Sequence, residues 1–189
     1  MGIPTGYVSP DSWDKQPAID RIKSKFGVSG KLIEGYDHPY LYLSNEVISN
    51  SEVDLLALEA AIVDELVRFP GVSTAFSSTA LARGAVADNY LTRAITNNYH
   101  PKRSGNVYVV FDPGWFINDL DGLSAAVVHG SPWPYDTFVP IIFAGHKLKP
   151  QTVSRRVHTV DVALTLTNII GAKPPSGASG KVLLEVVGQ

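Results

Sequence analysis

The chain contains no cysteine, so neither a disulfide nor a thiolate metal ligand can enter any account of its stability or chemistry, and reducing and oxidising compartments both stay open. Long apolar runs are missing as well: none reaches the roughly 20 residues that a membrane-spanning helix needs. Met1-Gly2-Ile3-Pro4-Thr5 offers neither the charged nor the apolar stretch of a secretory leader, so these residues are expected to carry no export signal of their own. Nor is there an excess of either charge. Lys and Arg number 16 against 18 Asp and Glu, for a net charge of -2, and the basic pairs Lys102-Arg103 and Arg155-Arg156 stand isolated, so no nucleic-acid binding is expected. No internal repeat or low-complexity segment appears.

What remains is ordinary globular material. Of 189 residues, 44% are hydrophobic and 18% charged, and a chain of this size can bury roughly 70% of the surface its unfolded form exposes. Three parts can be read along it. Residues 1–30 are rich in Pro, Gly and Lys and read as a connector, with one short amphipathic helix at Ala18–Ile22 running toward Phe26-Gly27.

Residues 31–111 alternate between strand and helix patterns. Tyr40–Leu43 reads as a strand. Ser51, with Asp54 three residues on, resembles a weak capping box opening a helix that carries Leu55, Leu58, Ile62 and Leu66 at helical spacing. Phe69-Pro70-Gly71 stops that helix. Val72–Phe76 reads as a second strand, Val86–Tyr99 as a second amphipathic helix, and Val107–Phe111 as a third strand. The predicted unit is β-α-β-α-β. In residues 112–189, Val139–Gly145 has the look of a buried strand. Thr159 is placed to cap a helix in which Asp161 complements the N-terminus and Gly171 ends the last turn.

The candidate chemistry centres on His129, in Val128-His129-Gly130-Ser131-Pro132-Trp133-Pro134-Tyr135-Asp136-Thr137-Phe138. It falls on a loop feeding the predicted strand at Val139, and loops at sheet ends are where α/β proteins keep functional residues. Asp136 reads as a turn-fixing carboxylate that accepts backbone N–H bonds. Trp133 and Tyr135 either line the mouth of a pocket or clamp the loop to the core. Asp37-His38 matches a metal-binding Asp-His pair in letters only, because Pro39 follows where Gly belongs. His100, His146 and His158 lack metal-ligand spacing. Ser176–Lys181 imitates a phosphate-binding loop, but Pro175 replaces its first Gly and Val182 its Ser or Thr, so it reads as a turn. Gly71–Ala75 imitates a nucleophile elbow, but no helix follows Ser73 directly.

Several stretches in order carry a family resemblance: Tyr99-His-Pro-Lys-Arg-Ser-Gly-Asn106, the strand Val107–Phe111, Asp112-Pro-Gly-Trp115, the His129 run, and Thr159–Leu166 followed by Pro174-Pro-Ser-Gly177. Together they resemble the C-terminal portion of the alkaline phosphatase superfamily. The likeness is greatest to its phosphate-irrepressible alkaline phosphatases, with the type I phosphodiesterase and nucleotide pyrophosphatase branch next. It is strong from Tyr99 onward and looser from Gly2 to Asn98.

The resemblance implies an α/β fold: the C-terminal part of an alkaline-phosphatase-like core, with the β-α-β-α-β lobe of residues 31–111 inserted and residues 112–189 returning to the core. It implies a parent that hydrolyses phosphate esters with two zinc ions and works in the periplasm or outside the cell. The parent's Thr or Ser nucleophile and most metal ligands lie upstream, and Met1–Gly6 resembles the segment just after its Asp-His-Gly motif. Only His129 carries over as a metal ligand. No catalytic residue and no tightly bound zinc are therefore expected of these residues alone. Val127-Val128 and Phe138 depart from the family pattern, which touches substrate preference.

Two other readings stay open at this level, a standalone binding or assembly module and a phosphodiesterase or sulfatase. Strands at Val107 and Val139 would be flanked in the parent by strands this chain lacks, so unpaired edges and edge-mediated self-association are expected.

Overall fold

The computed structural model describes residues 16–115, 129–146 and 148–188. The chain divides into two compact units, one ending at Phe138 and the other beginning at Val139.

The first unit opens with α1 (Pro17–Phe26), which starts on a Pro and ends on Gly27 in the left-handed conformation. It is longer than the sequence pattern suggested, and it buries Ile19 and Ile22. Next come β1 (Ile33–Asp37), β2 (Tyr40–Leu43), α2 (Asn45–Ser49), α3 (Leu55–Leu66), β3 (Val72–Ser77), α4 (Ser78–Ala82), α5 (Tyr90–Asn98), β4 (Val107–Phe111) and α6 (Pro134–Thr137). The predicted alternation is present, with β1, α2 and α4 added to it. Among the described residues the strands form one antiparallel sheet in the order β1-β2-β4-β3.

The expectation of an unpaired edge at Val107 is thereby corrected, because β4 has a neighbour on each side and the edges are β1 and β3. Strand composition gave no way to read this: the pairing that encloses β4 comes from β1–β2 and β3, both contributed by this chain. β4 is buried on both faces. Val107 and Val109 join Leu41, Leu58 and Ile62 in one core, while Tyr108 and Val110 join Tyr40, Leu81 and Ile95 in the other. This is the period-two alternation of a strand covered on both sides.

Two helix starts differ from their predicted positions. α3 is capped by Asp54, whose carboxylate accepts the Ala57 N–H at 3.1 Å. Ser51 is not part of that cap, because Asn50 Oδ1 accepts the Glu52 N–H at 3.0 Å and turns the chain there. α5 starts at Tyr90 rather than Val86, because Asn89 and Thr92 exchange both bonds of a capping box and fix the first turn.

One charged side chain is embedded between these elements. Glu59 on α3 is 1% exposed. It accepts hydrogen bonds from Ser77 Oγ at 2.5 Å, the Thr79 N–H at 3.0 Å and Asn106 Nδ2 at 3.2 Å. A buried carboxylate is tolerable only when its lone pairs are met in this way. The network ties α3 to the start of α4 and to the entry of β4. Asn106 extends it by accepting the Leu43 N–H at 3.0 Å.

In the second unit the main element is α7 (Asp161–Ile170), followed by α8 (Leu184–Val187). Gly171 ends α7 in the left-handed conformation, as expected. Thr159 does not cap it by side chain, because the flanking Val160 is already helical. The Asp161 carboxylate does this work instead, accepting the His158 N–H at 2.9 Å and the Lys181 N–H at 2.8 Å. The second bond requires close approach: a Cβ on Gly180 would lie 2.2 Å from the Val160 carbonyl oxygen.

The buried strand expected at Val139–Gly145 is not formed. No ladder partner is found for it among the described residues, and a strand exists only against a neighbour. Ile141 and Phe143 line a groove of mixed polarity with Leu148, Val153, Arg155 and Glu185, while Ile142 is 83% exposed.

The two N–H groups on Asp161 hold its carboxyl below the usual carboxylate range. A depressed folded pKa contributes stability above the unfolded value, near 3.9, and loses it as pH falls through the folded value. Thermal unfolding of the native chain and of Asp161→Asn should therefore differ by about 1–2 kcal/mol at pH 7, and the gap should shrink as pH falls below the unfolded carboxylate value near 3.9. A gap that stays constant down to pH 2 would contradict the assignment.

Candidate functional site

His129 begins a short segment folded onto the end of the sheet. Gly130 follows in a conformation with φ +103° that L side chains rarely adopt. The Ser131 N–H donates to Asp136 Oδ2 at 2.9 Å, which is the turn-fixing role read for that carboxylate. Pro132 is buried. Pro134, at the first position of α6, and Thr137, whose Oγ1 donates to the Trp133 carbonyl at 3.2 Å, complete a compact knot.

Between the two roles left open for Trp133 and Tyr135, the contacts favour clamping. Trp133 packs against the Tyr40–Tyr108 core, and its indole N–H donates to the Phe111 carbonyl at 2.7 Å. Tyr135 accepts the Gly114 N–H on its hydroxyl at 3.2 Å. Gly114 lies just beyond β4, and so does Trp115. The Trp115 ring covers Gly71, where a Cβ would meet it at 2.1 Å, so that Gly closes the start of β3 for reasons of space. Ser73 sits near the start of β3, which continues to Ser77 before α4 opens, so no helix follows it directly.

The His129 side chain is exposed. Ser131 Oγ is buried with no hydrogen-bond partner among the described residues. On the near side of the same segment stands His38, which the sequence reading set aside. Its Nδ1 lies 2.8 Å from the Tyr36 hydroxyl. Its ring stacks on Phe111 with centroids 6.3 Å apart and planes 15° from parallel. A Cβ on Gly130 would lie 3.4 Å from its Nε2. The structure thus brings His38 to the residue next to His129, through the tip of the β1–β2 hairpin.

The remaining candidates have local surroundings of their own. His100 accepts the Lys102 N–H at 3.2 Å inside a surface turn. His158 gives its backbone N–H to Asp161, and His146 is exposed. The Ser176–Lys181 stretch contains a turn closed by Ala178 N–H on the Pro175 carbonyl at 3.1 Å, with no helix opening on it. Among the described residues no three His, Asp or Glu side chains converge as a metal cage requires. A zinc site needs at least three protein ligands, so His129 fits as one ligand of a site and not as a site by itself.

No family model matches the sequence. A crystal structure of wild-type alkaline phosphatase PafA superimposes with a TM-score of 0.77 at 26% identity, over 97% of this chain and 34% of that one. Alkaline phosphatase PafA from Elizabethkingia meningoseptica is 27% identical over 188 residues, which is 99% of this chain and 33% of that protein. The chain belongs to the alkaline phosphatase superfamily.

A second alkaline phosphatase, PhoV from Synechococcus elongatus, is 27% identical over 142 residues, 75% of this chain and 25% of PhoV. A Myroides odoratus protein named calcium-transporting ATPase is 31% identical over 170 residues, 90% of this chain and 30% of that protein. The chain thus spans about a third of the length of these relatives or less. The α/β fold class and the likeness to the superfamily's C-terminal portion, both read from the residues, stand.

Proposed function

We propose that these residues are the C-terminal part of a metal-dependent phosphate-ester hydrolase of the alkaline phosphatase type, to which they contribute His129 as a ligand of one of two zinc ions. The observation that carries this reading is the His129 segment. It presents an exposed imidazole at the end of a sheet while Asp136, Trp133 and Tyr135 fix the backbone behind it. Such outer contacts are what a metal-binding His needs in order to meet its ion in one orientation. Bound zinc supplies Lewis acidity to the phosphoryl oxygens and lowers the pKa of the nucleophile. The work of this chain is to hold a neutral imidazole nitrogen in place.

A monoesterase is favoured over a phosphodiesterase, nucleotide pyrophosphatase or sulfatase because two relatives carry the name alkaline phosphatase. The name of the Myroides odoratus relative also denotes hydrolysis at a phosphoryl group. The assignment of His129 is the same under either name.

By itself the chain should bind no zinc tightly and turn over no phosphate ester, since one ligand and no nucleophile are assigned to it. Calorimetric titration with zinc and a p-nitrophenyl phosphate assay check this, and stoichiometric tight binding or turnover above background would overturn it.

In the longer phosphatase, His129→Ala should lower zinc affinity or activity by at least the roughly 10- to 100-fold that outer-contact changes alone cost. His146→Ala should change neither. Zinc content and rate, measured at saturating metal and again after chelation, separate the two. A His129 variant with native metal content refutes the ligand assignment.

The exposed run around Phe138, Val139 and Ile142 also supports self-association of the isolated chain. Light scattering should show mass rising with concentration, and Ile142→Lys should suppress the rise. A strict monomer at all concentrations would exclude it.

A further inference from the structure

We infer that the outer stripe of α7 and the backbone of Val139–Phe143 are covered by the part of the longer phosphatase that precedes these residues; the inference rests on the reading of the chain as the C-terminal part of such a protein. It starts from a helix turned inside out. Val162, Leu166, Ile169 and Ile170 stand at i, i+4, i+7 and i+8 of α7, which places them along one stripe. A stripe of that kind ordinarily faces a core. Here Leu166, Ile169 and Ile170 are 44%, 47% and 71% exposed, while the buried side of the helix carries Asp161 and Thr165.

The hydrogen bonds show how this comes about. Asp161 accepts the Lys181 N–H at 2.8 Å, and Thr165 Oγ1 accepts the Leu183 N–H at 3.0 Å while donating to the Asp161 carbonyl at 2.8 Å. Polar bonds thus fasten α7 to the chain that follows it, and the apolar side is left over. Among the described residues of this unit, the buried ones are Asp161, Thr165 and Leu183, so the unit has no apolar core of its own. A helix this short is marginal in water without apolar packing, and a contiguous exposed apolar surface marks an interaction site. The backbone of Val139–Phe143 is open in the same way, since its main-chain groups make no hydrogen bond among the described residues. An extended segment in that state accepts an added strand.

Length decides the occupant. The superposition on PafA takes in 97% of this chain but 34% of that one, so most of the polypeptide that accompanies this fold there lies outside these residues. The stripe carries no charged side chain, as befits a permanent interface, which resembles a core cut in half. A second copy of the chain is the rival occupant. Amide hydrogen exchange separates the two. In the 189-residue chain the amides of Leu164–Ile170 and Val139–Phe143 should be at least about a hundredfold less protected than those of β4. In the longer phosphatase both stretches should be as protected as β4. Ile169→Lys is the discriminating variant. It should leave the unfolding midpoint of the 189-residue chain unchanged, because that side chain already meets solvent, and should strip α7 of its protection in the longer protein. Ile169→Leu, which conserves volume, should behave as the native protein in both.

Failure of the longer Ile169→Lys protein to fold, beside a native Ile169→Leu protein and an unaffected short chain, counts as the same result, since an exposed site tolerates lysine. Native protection of α7 in the longer Ile169→Lys protein would overturn the inference. So would an α7 as protected as β4 in the isolated chain, and protection that appears only as that chain dimerises would give the stripe to a second copy. The zinc content of His129→Ala decides the ligand reading separately. A zinc-replete variant removes the metal role and leaves the covered stripe, and an unprotected α7 in the longer protein beside a zinc-free variant does the reverse.

Discussion

Burial of β4 on both faces is the constraint on which the first unit depends. A strand that feeds one core with Val107 and Val109 and another with Tyr108 and Val110 cannot slip by a single residue, because the slip would exchange the two sets and put tyrosine where valine packs. Its neighbours are held to the same register, with Tyr40 opposite Tyr108 and Phe76 opposite Tyr108 on the other side. The Glu59 network then locks the entry of the strand through Asn106. The exit of the strand is consequently a fixed point, and the His129 segment is fastened to that exit at Phe111 and Gly114.

Much of this was legible in the residues, and the reasons differ element by element. α3 announces itself because Leu58, Ile62 and Leu66 repeat at helical spacing and end up buried. β4 is legible because five consecutive β-branched or aromatic residues in a short run read as a strand. The turn role of Asp136 was legible from its place before a predicted element, and the bond to Ser131 bears it out. β1 escaped because Ile33-Glu34-Gly35-Tyr36-Asp37 contains a Gly and two acids, and its pairing with β2 shifts register between Ile33 and Gly35. No local pattern reports such a partner.

The site was legible only in part, for a related reason. His129 could be picked out by its neighbours in sequence. His38 could not, because its meaning lies in an approach across more than ninety residues, and its neighbours Asp37 and Pro39 suggest only a hairpin. The run Val139–Gly145 shows the opposite failure. Its composition says strand and its alternation partly holds, with Ile141 and Phe143 lining a groove and Ile142 outward. Composition supplies a face, but a ladder needs a second backbone, and none lies against it among the described residues.

Phe111 makes two chemically different contacts, one to the His129 segment and one to the hairpin tip. The carbonyl that receives the Trp133 indole belongs to the main chain, and every amino acid at that position would offer it. The ring stacked on His38 is a side chain, and only an aromatic residue would offer it. Sequence drift at position 111 can therefore alter the stack at the hairpin tip without touching the indole bond. A lineage can vary how the tip is held while attachment of the His129 segment to the sheet is inherited intact.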